Sequence, residues 1–137
     1  MKAIILASLL VGSVSFANRE SGGRGGATAV YVNFISVGSG VDAKAKAQYE
    51  NLVAEAKSQG LVQDQTVQIQ GREGEVLACV KLSSGSARIG FIQALAPQII
   101  ADTKDLGIQR TSVYLGADCH HFNNASEQDL TKYAGNN

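Results

Sequence analysis

The sequence has no surplus of either charge: twelve lysines and arginines stand against twelve aspartates and glutamates. Binding phosphate backbones or an anionic bilayer requires a clustered positive surface, and no stretch supplies one, so nucleic acid is excluded as the main partner. Long hydrophobic runs are missing too. The longest, Ala3 to about Val14, is near a dozen residues against the roughly 20 that a spanning helix needs, which argues against a stable membrane anchor. Cysteine is limited to Cys79 and Cys119, too few to replace a hydrophobic core by a disulfide framework. No G-x-S-x-G elbow, H-E-x-x-H helix or C-x-x-C pair occurs, and no cofactor is implied.

What is present begins with an export signal. Lys2, the apolar run and the small residues Ser15 and Ala17 form a charged start, a hydrophobic centre and a cleavable end. The sequence therefore predicts a signal peptide over 1–17, cut after Ala17, and a secreted or periplasmic protein. With no cysteine directly after the cut, no lipid anchor is expected. Residues 18–27, rich in glycine and charge, read as a flexible leader.

A domain is predicted over 28–116. Ala29 to Val37 is β-branched and aromatic, the composition of a strand, and Asp42 is placed to cap the helix that follows. In that helix Ala45, Tyr49, Leu52, Val53 and Ala56 recur at helical spacing until Gly60 stops it. Thr66 to Gln70 alternates, Gly71 to Gly74 turns, and Glu75 to Leu82 returns as the second arm of a hairpin. Ile89, Ile92, Leu95, Ile99, Thr103 and Leu106 mark a second helical segment, interrupted by Pro97, where a kink or a split into two helices is expected. Ser112 to Gly116 makes the last strand.

Lys57–Ile69 and Lys104–Leu115 share one order of features: lysine, stopping glycine, large aliphatic, polar link and alternating strand. The order βαββαβ points to a ferredoxin-like α+β sandwich, a four-stranded antiparallel sheet with two helices on one face and a C-terminal tail over 117–137. Alternation assigns Val67, Ile69, Val76, Ala78, Val80, Leu82, Val113 and Leu115 to the helix side. The reverse face then shows Tyr31, Asn33, Gln68, Leu77 and Tyr114, a mixed surface suited to a ligand.

Cys79 lies on that reverse face and Cys119 beyond the last strand, two strand spacings of ~4.8 Å away, too far to join unless the chain turns back after Gly116. In an exported chain one disulfide between them is the expectation. "SEQD" over 126–129 resembles a capping box, with Leu130 and Tyr133 on one side of a short helix expected to pack on Leu77 and Tyr114. Asp118, His120 and His121 are potential metal ligands, although adjacent residues of an extended chain rarely face one ion. Gly38, Ser39 and Gly40 precede a helix and form a weak anion cradle. The functional expectation is an exported non-catalytic binding or accessory module for a protein, peptide or small ligand, acting through the open sheet face or a sheet edge that is also free to pair into a homodimer. The alternatives are metal capture by Asp118, His120 and His121, and an enzyme assembled from scattered groups such as Asp42, Arg88 and Tyr114.

Overall fold

The computed structural model describes residues 26–37, 40–71 and 74–134. The predicted signal peptide, most of the leader, Gly38 and Ser39 of the anion cradle, two residues of the hairpin turn and the last three residues lie outside them. Strand β1 is Ala29–Phe34, helix α1 is Ala43–Ser58, and strands β2 and β3 are Val62–Ile69 and Val76–Leu82. Helix α2 is Gly85–Leu106 and strand β4 is Thr111–Gly116; a 3-10 turn at Phe122–Asn124, a two-residue strand β5 at Ser126–Glu127 and a short helix α3 at Thr131–Ala134 complete the described residues. The fold is α+β, with one open antiparallel sheet of five strands in the order β2-β3-β1-β4-β5. The fifth strand is an addition to the four expected, since Ser126 and Glu127 pair with Leu115 and Tyr114 instead of opening a helix.

Side-chain alternation divides the interior into two layers. Val30, Val32, Phe34, Val76, Ala78, Val80, Leu82 and Val113 point to one face and bury against α1 and α2. α1 contributes Ala45, Tyr49, Val53 and Ala56, one stripe at helical spacing, and the Asp42 carboxylate caps it by accepting the Ala45 N–H at 3.2 Å. Leu52, expected in the same stripe, is only partly buried at its margin.

α2 is a single helix through Pro97, so the expected split into two helices does not occur. Proline removes one helical hydrogen bond and crowds the preceding turn, yet Pro97 and Gln93, whose carbonyl loses its partner, are both exposed residues. Phe91, Ile92, Leu95, Ala96 and Ile99 bury on both sides of it. Their burial, at roughly 1.5–3 kcal/mol for each large side chain, outweighs a proline penalty of ~3 kcal/mol. The buried stripe also departs from the predicted one: Ile89 and Leu106 are exposed, and Ala87, Phe91 and Asp102 take the inner positions.

The edge strand β2 departs most. Val67 and Ile69 stand opposite Ala78 and Val76 and so belong to the helix-side face, but they are 59% and 78% exposed. Alternation had assigned the face correctly; α1 does not extend over it.

Candidate functional site

The reverse face is organised by the tail. Beyond Gly116 the chain turns back, and Cys119 meets Cys79 in a disulfide with the Cα atoms 5.6 Å apart. At this bend Gly116 lies close against Tyr31: a Cβ there would lie 3.0 Å from the ring, which would have to shift to admit it. The Tyr31 hydroxyl donates to the Asp118 carbonyl at 2.7 Å and accepts the His121 N–H at 3.1 Å, fastening the turn to β1. Burial is the main reason that the Tyr31 hydroxyl titrates above its ordinary range. Phe122 then lies against Tyr31 and Tyr114, with ring centroids 5.1 and 4.9 Å away. Ala29, Tyr31, Leu77, Cys79 and Cys119 form a second buried cluster under this strap.

Five residues were expected to line an open reverse face. Tyr31 and Leu77 are buried under the strap, Asn33 and Tyr114 are half-buried, and Gln68 is exposed. The covering groups are Cys119, Phe122 and Ala125. Leu130 and Tyr133 do not pack on Leu77 and Tyr114, as expected, but pass the sheet edge and join the helix-side core. The capping-box reading also fails: α3 starts at Thr131, and Asp129 is the residue that accepts its N–H, at 3.1 Å.

Asp118, His120 and His121 divide between two partners. His121 Nδ1 lies 2.9 Å from the Asp118 carboxylate, while His120 Nε2 lies 3.0 Å from Asp64 on β2. The His120 backbone N–H, bonded to the Asp118 carboxylate, and then the His121 side chain hold that carboxyl below its ordinary range. Among the described residues no group of three or more His, Cys, Asp or Glu is arranged to hold a metal ion.

Asp42, Arg88 and Tyr114 are not brought together. Asp42 caps α1, Arg88 in the first turn of α2 donates to the Ala27 carbonyl at 2.8 Å, and Tyr114 lies on the other side of the sheet. Asp42 instead meets Asp102 of α2, a contact without a sequence signal because sixty residues separate the two. Burial and the side-chain hydrogen bond to Asp102 push the Asp42 carboxyl above its ordinary range. Of the weak anion cradle only Gly40 is described; its N–H donates to the Ser36 hydroxyl at 3.1 Å and its carbonyl accepts from Arg110.

Beside the strap a recess of about 380 Å³ remains on the reverse face, lined by Tyr31, Gln68, Leu77 and Phe122 among others, and a second open feature is the outer flank of β2. Between this strand and α1 runs a groove of about 230 Å³, floored by Phe34, Val76 and Ala78 and flanked by Val53, Ala54 and Val67. Lys46, Glu50 and Lys57 stand along the helix rim. On its outer side β2 has no neighbouring strand among the described residues. On that outward side the Gln65 N–H donates to the Asp64 carboxylate at 2.8 Å, and an apolar groove beside the outward main-chain groups of Val67 and Ile69 is equipped to accept an extended chain, with hydrogen bonds for affinity and alternate side chains entering the groove. No family model, curated protein or solved structure matches the chain.

Proposed function

We propose that the chain is a small exported, non-catalytic module of ferredoxin-like fold that binds a partner by strand addition along β2. The strand order β4-β1-β3-β2, with α1 and α2 on one face, supports the ferredoxin-like description. The disulfide is compatible with an oxidising, exported setting, and among the described residues no helix is long and apolar enough to cross a membrane. The single observation that carries the binding role is the exposure of Val67 and Ile69, 59% and 78%, on a strand with a free edge beside an apolar groove. With the reverse face largely strapped, this edge is the extended surface on which a partner gains both hydrogen bonds and apolar burial.

Fluorescence polarisation of a labelled, end-blocked peptide of alternating valine and threonine tests the reading in dilute protein. Micromolar binding is expected, and Val67→Lys should weaken it roughly tenfold or more by placing a charge at the groove. Absence of binding at millimolar protein, or equal binding by the Val67→Lys variant, overturns it.

A further inference from the structure

We propose that the partner taken up at this edge is a second copy of the chain, whose β2 pairs antiparallel with the first about a two-fold axis to make one continuous sheet. The inference rests on the strand-addition reading and names its occupant.

Main-chain direction supports it first. The Gln70 N–H donates to the Glu75 carbonyl at 3.0 Å, and Ser83 N–H donates to Leu61 across the other end of the same strand pair. These bonds set the alternation: even-numbered groups of β2 from Asp64 turn toward β3, and those of Gln65, Val67 and Ile69 turn outward. The outward main-chain groups thus belong to the residues whose side chains occupy the helix-side face. A two-fold axis at Val67 exchanges both hydrogen bonds between the two Val67 residues and sets Gln65 opposite the second copy's Ile69.

Charge supports it independently. On the reverse face of the same seam, Thr66 falls opposite Gln68 and Asp64 opposite Gln70, so no like charges meet. Asp64, the one acidic or basic residue of β2, faces His120 of its own chain at 3.0 Å. With Lys2 removed in the predicted signal peptide, eleven basic residues stand against twelve acidic ones, a formal charge of −1, so two copies approach with little bulk repulsion.

The edge has few deterrents to self-pairing from Gln65 to Ile69, because its charged residue and its register irregularity both lie at the Val62–Asp64 end. β2 contains no proline and no lysine, and its register irregularity is confined to Val62 and Asp64, leaving the segment through Ile69 regular. At the other end of the sheet the edge is β5, of only two residues, Ser126 and Glu127. A long free edge at one end and a short polar one at the other make pairing close on itself as a dimer instead of growing into a filament.

Sedimentation equilibrium of the purified chain, with Val67→Lys and Val67→Cys variants, tests the inference. A dimer at micromolar concentration is expected. Its dissociation constant should rise roughly a hundredfold or more in Val67→Lys, with the circular dichroism of the native fold retained because Val67 is largely exposed. Val67→Cys should form a 67-to-67 cross-link on oxidation, identified by peptide mapping, while Ala47→Cys on the exposed side of α1 should not. A monomer at all concentrations, or a dimer unaffected by Val67→Lys, overturns self-pairing. If the monomer still binds the valine-threonine peptide and Val67→Lys abolishes it, strand addition stands and only its occupant is wrong; if it binds neither, both readings fall.

Discussion

Asp42 combines two opposed roles in one side chain. As N-cap it accepts the Ala45 N–H, an interaction that favours the carboxylate, while burial and the hydrogen bond with Asp102 favour the protonated acid. The net displacement is upward from 3.8, so burial and the neighbouring carboxyl outweigh the cap. Lys44, Asp105 and Arg110 line the same recess, and Arg110 is tied to the Gly40 carbonyl at 3.1 Å. A carboxyl whose folded pKa exceeds its unfolded value binds more protons when folded. Its contribution to stability is therefore complete below the unfolded pKa and is lost as pH rises through the folded one. Asp42→Asn keeps a capping oxygen of equal rank and supplies an amide donor toward Asp102. Its melting temperature should exceed that of the native chain at pH 7 and converge with it near pH ~3, as followed by thermal denaturation across that range. An unchanged difference at all pH values would show that ionisation of Asp42 contributes nothing.

The two helix-to-strand joints, which look alike in sequence, are closed differently. At the first, Gly60 at φ 73° donates to Lys57 while the Leu61 N–H reaches back to Ala56, a Schellman pair of bonds; at the second, Gly107 at φ 77° makes a single bond to Thr103 at 2.8 Å. A Cβ at either glycine meets nothing within 4 Å, so the cost of alanine is confined to backbone conformation. Gly60→Ala and Gly107→Ala should each lose about 1 kcal/mol, read from urea midpoints at constant slope, with asparagine recovering part of the loss. Such joints were legible because glycine, an aliphatic residue and a new alternation occur within a few positions. The disulfide was legible because two cysteines in a chain expected to be exported leave one pairing and the chain can turn back after Gly116. Pro97 misled because the breaker rule is local, whereas the burial of Phe91 to Ile99 that overrides it depends on α1 and the sheet. Ser126 to Asp129 misled in the same way: the box pattern is local, and pairing with Tyr114 and Leu115 is not. Val67 and Ile69 show the limit of alternation, which tells which face a side chain takes but not how far a helix reaches across it.

At the scale of the molecule, three layers share one sheet: two helices above, the strands, and the strap of residues 117–125 below. The layers differ in what holds them. The helix-side core is a continuous apolar cluster that includes no cysteine, whereas the reverse cluster is small and contains both sulfurs. Beyond the strap, Leu130 and Tyr133 cross to the helix side, so the tail is anchored at both ends of its path. In the chain-entropy account, a bridge spanning 40 residues restricts the unfolded state by about 4 kcal/mol. Cys79→Ser/Cys119→Ser should therefore lower stability by about 4 kcal/mol and free the strap without dissolving the sheet. In native-state proteolysis of that variant, cleavage is expected first between Ala117 and Ala125, where the Tyr31 hydroxyl and the Phe122 ring contacts would remain as local fastenings. Amides of β1 and β3 should keep their protection from hydrogen exchange, because their partners lie within the sheet and Val30, Val32, Phe34, Val76, Val80 and Leu82 lie in the helix-side core. Simultaneous loss of strap and sheet protection would instead mean that the sulfur bridge supports both layers, and that the smaller cluster is part of one cooperative core.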